Sequence, residues 1–304
     1  MPNMSICSLV FNTRDLLRAS LASIYTHAPT FDFEVIVCDN ASTDGSAEMV
    51  RQEFPQVTLI ANTQNRYFTR GNNQMFARAR GEYVFIMAGD VAIEGDVLSG
   101  LVEYLDTHPQ VGAVTPQIKV GTTCSRYSPW VFSALDRTFL QYVLRGPYRR
   151  LQRHFWIENW VRDTEQTVEV ASDSALMIRK PLLDTIGGFD EGLLLYYTEE
   201  DLCRTIWTTT SYQITYAPIP AIIHLEHQSV RQVNPATIRA IWWRDMLYYH
   251  RKWDGSGPWL ALKLLGWINN PVYRLGYLVT RRTGTRLPAT TFEAEDASSR
   301  VIRR

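Results

Sequence analysis

Between residues 6 and 114, short apolar runs alternate with segments of helical period, and polar residues stand where the apolar runs stop. This alternation limits the possible folds more than any other feature of the chain. Residues 6–11 read as a strand broken only by Ser8. Asn12-Thr13 is expected to cap the next helix, with Asp15 in its first turn. Leu16, Leu17, Leu21, Ile24 and Tyr25 give that helix one apolar face, and Pro29 lies past its end. The pattern continues with strands at 35–38, 57–60, 83–87 and 111–114 and helices at 46–54, 70–79 and 95–107. Strands that alternate with helices predict an α/β fold: a mostly parallel sheet flanked by helices. Asn12, Asp39, Asn62 and Asp90 fall at the C-terminal strand ends, the rim where such sheets bind ligands.

The 304 residues are 45% hydrophobic, enough for a sizeable core. Formal net charge is zero, which argues against a nucleic-acid partner. The balance is uneven: over residues 231–304 basic side chains outnumber Asp245, Asp254, Glu293, Glu295 and Asp296. Cys7, Cys38, Cys124 and Cys203 lack metal-ligand spacing, and a reducing setting without disulfides is expected. The start Met1-Pro-Asn-Met-Ser-Ile lacks a signal-peptide pattern. No apolar run reaches the length of about 18 residues that a membrane span needs. The expected location is the cytoplasm. Residues 122–169 mix aromatics with arginines and lack strand period. From Ala236 onward, Trp242, Trp243, Tyr248, Tyr249, Trp253 and Trp259 interleave with Arg239, Arg244, Arg251, Lys252 and Lys263. Such amphipathic helices either pack as core or lie on an anionic membrane surface, here the inner face of the cell membrane. The tail from about residue 286 is polar.

The chemistry begins at Val35-Ile-Val-Cys-Asp-Asn-Ala-Ser-Thr-Asp-Gly-Ser46, an apolar strand that stops at Asp39 and turns through small polar residues. The stretch resembles the nucleotide-reading loop of family 2 glycosyltransferases. Five more segments follow in the family's order. Asn65-Arg-Tyr-Phe-Thr-Arg-Gly-Asn-Asn-Gln74 is similar to a family loop that has Gly where Tyr67 stands. Ala79-Arg-Gly-Glu-Tyr-Val-Phe-Ile-Met-Ala-Gly-Asp90 resembles the strand leading to a metal-binding Asp, with Ala88 where a further Asp or Asn often stands. Ser174-Ala-Leu-Met-Ile-Arg-Lys180, followed by Ile186-Gly-Gly-Phe-Asp-Glu191, resembles the acceptor-side strand and turn. Tyr197-Thr-Glu-Glu-Asp-Leu-Cys203 resembles the segment that supplies the catalytic base. His224-Leu-Glu-His-Gln-Ser229 is similar to a late His motif.

The resemblance implies a GT-A (Rossmann-like) domain over residues 1–230. Residues 1–120 would form the nucleotide-sugar half and 121–230 the acceptor half, with a helical extension and polar tail over 231–304. It implies an inverting enzyme that moves a sugar, rhamnose being one candidate, from a UDP- or dTDP-linked donor to a glycan or polyprenyl-linked glycan acceptor. Phe11, Asn12, Asp39, Asn40, Asn65, Arg70, Asn73 and Asp90 would bind the donor. Asp173 and Asp201 would face the acceptor, although the family commonly has Gly at 173. Asp90 and His224 would hold Mg²⁺ or Mn²⁺, hard cations that offset charge on a departing diphosphate. A carboxylate must take the acceptor's proton. An ungapped match makes this Glu199 and leaves Thr198 where a Glu usually stands; a slip of one residue makes it Glu200. Plainer readings stand beside these. Asp39 could cap its own turn, Thr198-Glu-Glu-Asp could be a solvated helix start, and His227 could replace His224. A silent sugar-nucleotide binding module and a nucleotidyltransferase remain as alternatives.

Overall fold

The computed structural model describes residues 2–120, 123–124, 162–219, 222–224 and 235–264. Most of the aromatic segment at 122–169, along with His227, Ser229 and the polar tail, lies outside them. The first half reads β1 (Met4–Val10), α1 (Arg14–Thr26), β2 (Phe33–Asp39), α2 (Ser46–Glu53), β3 (Thr58–Ala61), α3 (Tyr67–Phe76), β4 (Tyr83–Ala88), β5 (Val91–Ile93), α4 (Val97–Thr107), β6 (Val111–Thr115) and β7 (Ile118–Val120). The second half adds β8 (Thr123–Cys124), β9 (Gln166–Thr167), β10 (Ala175–Arg179), α5 (Lys180–Ile186), α6 (Thr198–Thr209), β11 (Gln213–Tyr216), β12 (Ile222–His224) and α7 (Pro235–Asp254). A short helix covers residues 256–264.

Eight strands form the main sheet in the order β3-β2-β1-β4-β10-β6-β11-β9. The β3-β2-β1-β4 block is parallel, as the alternation predicts. β10 runs against both its neighbours, and β9 runs against β11 at the edge. The sheet is therefore mixed. Helices cover both faces. Met4, Ile6 and Val10 of β1 pack with Leu17, Leu21 and Ile24 of α1 and with Leu98, Leu101 and Leu105 of α4. On the other face Cys7 and Ile36 pack with Met75 of α3, Leu182 of α5 and Ile206 of α6. A central strand buried on both sides reads as an almost unbroken apolar run, and residues 6–11 have that character.

The start of α1 differs from expectation. Thr13 makes no side-chain capping bond. Instead Asp44, far along the chain, accepts the Arg14 backbone N–H at 2.7 Å and the Ser46 N–H at 3.1 Å. One carboxylate thus serves the N-termini of α1 and α2, where backbone N–H groups lack helical partners. Burial pushes the Asp44 pKa up, but the bonds from Ser46 and Arg14 outweigh it and leave the pKa below its ordinary value. Asn12, freed from capping, sits at φ 53° and accepts the Thr43 N–H at 2.7 Å.

The helix beyond the expected boundary at residue 230 packs back onto the sheet domain. Asp245 of α7 is fully buried, and its Oδ2 accepts the backbone N–H groups of Leu194, Leu195 and Tyr196 at 3.1, 2.8 and 3.0 Å. Lys252 bridges Asp190 and Asp201, and Trp253 Nε1 donates to Asp201 at 2.7 Å. Tyr249 and Trp242 pack around the Tyr197 ring. These aromatic and basic side chains of α7 therefore serve internal packing, the plainer of the two readings offered by the sequence. No helix among the described residues is long and apolar enough to cross a membrane.

Candidate active site

The parallel strands bring the sequence-predicted residues to one rim. β2 ends at Asp39, β4 ends two residues before Asp90, and Phe11 and Asn12 follow β1. Asp39 is 3% exposed, and its Oδ1 accepts the Ser42 N–H at 3.2 Å. The turn-capping reading is thus present in the geometry and is compatible with a ligand role. Burial raises the Asp39 pKa; bonds from Ser42 oppose this, and Asp44 and Glu48 reinforce it. Asn40 has a different use. Its amide donates to Asn65 Oδ1 and the Tyr67 carbonyl, while its Oδ1 accepts the Arg66 N–H. It ties the 39–45 turn to the 62–67 loop. Asn65 Oδ1 also accepts the Tyr67 N–H, so both asparagines shape the rim from within.

Asn73 and Asp201, expected to contact donor and acceptor, are likewise engaged internally. Asn73 donates to the Phe189 carbonyl at 2.9 Å and accepts the Phe189 N–H at 3.0 Å. This two-way clasp holds the Gly-Gly-Phe-Asp-Glu turn against α3. A Cβ on Gly188 would lie 2.6 Å from Asn73 Oδ1, and Gly188 has φ +76°, so the turn requires glycine there. Asp201 is 2% exposed and bonded to Lys252 and Trp253. Its carboxylate anchors α7. Arg70 is exposed and lies 3.4 Å from Glu191.

Asp90 and His224, distant in sequence, meet. β5 starts immediately after Asp90 and pairs antiparallel with β12, in a register that sets His224 opposite Val91. His224 Nε2 lies 3.4 Å from Asp90 Oδ1, with side chains 9% and 11% exposed. Among the described residues no cluster of three His, Cys, Asp or Glu forms a metal cage. The described residues thus offer a donor set of one carboxylate and one imidazole. It suits a cation that takes its remaining ligands from phosphate oxygens and water, as Mg²⁺ and Mn²⁺ do.

The acidic segment at the start of α6 closes the rim. Tyr197 takes a left-handed conformation, φ 61°, which turns the chain into the helix. Thr198 Oγ1 lies 3.0 Å from Glu199 Oε2 and 3.1 Å from Asp173 Oδ2. The Ala88 N–H donates to the Ser174 carbonyl, so Asp173 sits beside the end of β4 and hence near Asp90. Burial pushes the Glu199 pKa well above the carboxylate range, and Asp173 adds to the shift. Burial raises Asp173 as well, against the bond from Thr198. Glu200 is 7% exposed and lies on the α7 side, where its charge acts on Tyr249. Of the two candidate bases, Glu199 is the one beside a second carboxylate. Asp173 and Thr198, the two positions that depart from the family pattern in this region, lie within 3.1 Å of each other.

Sequence reasoning missed Asp44, Asp245 and Lys252. Asp44 was visible only as part of a turn. Asp245 and Lys252 sat in a run of basic and aromatic residues whose period gave no sign that one carboxylate would be buried.

Residues 5–184 match the sequence profile described as Glycosyl transferase family 2. An uncharacterized protein, y4gI, of Sinorhizobium fredii is 24% identical over 267 residues, 83% of this chain but only 28% of that protein's length. The N-acetylglucosaminyl-diphospho-decaprenol L-rhamnosyltransferase of Mycobacterium tuberculosis is 25% identical over 230 residues, 71% of this chain and 72% of the relative. The solved mannosyltransferase PcManGT of Pyrobaculum calidifontis, in complex with GDP-Man and Mn²⁺, superposes with a TM-score of 0.55 at 20% identity, covering 99% of this chain and 81% of that one. The last likeness extends to the fold, which is GT-A. With a family profile spanning more than half its length and a rim built on that fold, this chain belongs to glycosyltransferase family 2.

Proposed function

We propose that the protein is an inverting, metal-dependent transferase that moves a sugar from a UDP- or dTDP-linked donor to a glycan or polyprenyl-linked glycan. The observation that carries this reading is the 3.4 Å approach of Asp90 to His224 at the rim. The mycobacterial relative's name makes rhamnose the first donor sugar to test and a diphospho-polyprenyl glycan the first acceptor. Asp39 accepts a base N–H of the donor. Asp90 and His224 hold the cation, which when bound neutralises charge on the departing diphosphate. Glu199 takes the acceptor's proton and Glu200 is second choice. Attack from the face opposite the diphosphate inverts the anomeric carbon.

The test is a panel of UDP- and dTDP-sugars assayed for nucleoside diphosphate release with Mg²⁺ or Mn²⁺. The expected result is release from at least one donor, lost in excess chelator and in Asp90→Ala. Full turnover in chelator, or an active Asp90→Ala protein, overturns the metal reading. Tight nucleotide binding with no release from any donor favours the silent binding module, which Ala88 also supports by removing a second carboxylate from the metal site.

A further inference from the structure

Asp173, Thr198 and Glu199 place two carboxylates around one hydroxyl. Thr198 is 1% exposed, and its Oγ1 is within 3.1 Å of an oxygen on each side. A hydroxyl carries a single hydrogen, so it donates to one carboxylate at a time. The other contact becomes a hydrogen bond only when that carboxylate holds a proton and donates it to the hydroxyl oxygen. Three oxygens in a row with two bonds need two hydrogens. Thr198 supplies one. The other is the proton that a general base acquires.

The loop that carries Asp173 is braced for this placement. Ser172 and Ser174 hydroxyls are 2.5 Å apart, and Ser174 is held by the Ala88 N–H. Among the described residues, Asp173 from that loop and Thr198 on its own helix act on Glu199, and the charge of Glu199 acts on Tyr196 of the preceding loop and Cys203 one turn on. Tyr196 and Cys203 are neutral, because burial raises both. Asp173 is thus the charged neighbour of Glu199 in this set.

We propose that Asp173 and Thr198 act with Glu199 as a hydroxyl-bridged carboxylate pair, in which Thr198 turns its hydrogen from Glu199 to Asp173 as Glu199 takes the acceptor's proton. The proposal rests on the reading of Glu199 as the base. In the transfer step the acceptor O–H bond breaks and its proton goes to Glu199. The acceptor oxygen's electron pair forms the bond to the anomeric carbon. The bond from that carbon to the diphosphate oxygen breaks, and its electron pair leaves on the diphosphate. Protonated Glu199 then donates to Thr198 Oγ1, and Thr198 donates to Asp173, so the negative charge of the pair rests on Asp173. Loss of the proton to solvent lets the hydroxyl turn back. Asp173 and Thr198 are positioning residues, since they act through Glu199.

The sign of each effect is fixed. Asp173's charge disfavours ionised Glu199, and Thr198's hydrogen favours it. Asp173→Asn should therefore lower the pH midpoint of Glu199, and Thr198→Val should raise it. A carboxyl-carbon NMR titration of the labelled full chain without ligand reads this directly, the Glu199 signal being assigned by its loss in Glu199→Gln. The expected shifts are about one pH unit or more in opposite directions, with Thr198→Ser near wild type. Nucleoside diphosphate release from UDP- and dTDP-sugars should show its acid limb moving the same way. A thermal melt of each variant reports the fold, and damage to the fold does not move two midpoints in opposite directions. Unmoved midpoints in Asp173→Asn and Thr198→Val, with Glu199→Gln inactive, overturn the pair alone. Wild-type release by Glu199→Gln overturns the base assignment and the proposal with it.

Discussion

Tyr67 holds its backbone at φ 61°, a conformation that costs a bulky residue about 1–3 kcal/mol. This is the position where the family loop has Gly, and the structure supplies the reason: the turn into α3 is left-handed whichever residue occupies it. Asn12, Ala41 and Tyr197 are also non-glycine residues in that region of backbone space, all at or beside the rim. At this scale the test falls on Asp39. A charge-assisted hydrogen bond to a base is worth about 1.5–3 kcal/mol. Asp39→Ala should therefore weaken UDP or dTDP binding at least about tenfold while the fold survives. Calorimetry showing unchanged affinity would remove Asp39 from the donor site. The sequence exposed Asp39 clearly, because a strand ending in a carboxylate is a local pattern. It could not show the internal bonds of Asn40 and Asn73, because what they bond is remote: Asn73 meets Phe189 only after α3 and the turn are assembled.

Among the elements, α7 has the largest gap between pattern and role. Its sequence reads as a basic, aromatic surface helix, yet Asp245 gathers three backbone N–H groups just ahead of the acidic segment. Removing that carboxylate leaves buried donors unpaired, at about 1–3 kcal/mol each before relaxation. Asp245→Ala should lower the denaturant midpoint by the equivalent of at least about 2 kcal/mol and cut donor turnover, with nucleotide affinity nearly intact. A wild-type midpoint would show that the loop is held by other means. The strands and helices of the first half were legible because each is defined by its own period. β10 reversing direction was not, since a buried apolar strand looks the same in either sense. Caps were the other failure: Asn12-Thr13 has the right composition for α1, but Asp44 reaches the same N–H group from another loop.

On the scale of the whole molecule, the most exposed large apolar side chains among the described residues lie in the helix at residues 256–264. Leu260 and Leu264 are exposed, and the cations of Arg251 and Lys263 lie over the Trp259 ring. If the protein meets an anionic membrane, this helix is the described part that offers the most apolar surface to it, since most aromatics of α7 pack inward. Flotation with anionic vesicles should show association at low salt that weakens at high salt. Absence of association at low salt would discard the membrane contact. The parallel block β3-β2-β1-β4 is complete by residue 88, whereas the loop before the acidic segment waits for Asp245. A ribosome makes this chain in that order. The growing polypeptide therefore has its four parallel strands long before the loop at residues 194–196 is pinned, and Asn73 on α3 waits just as long for the Phe189 backbone that it clasps.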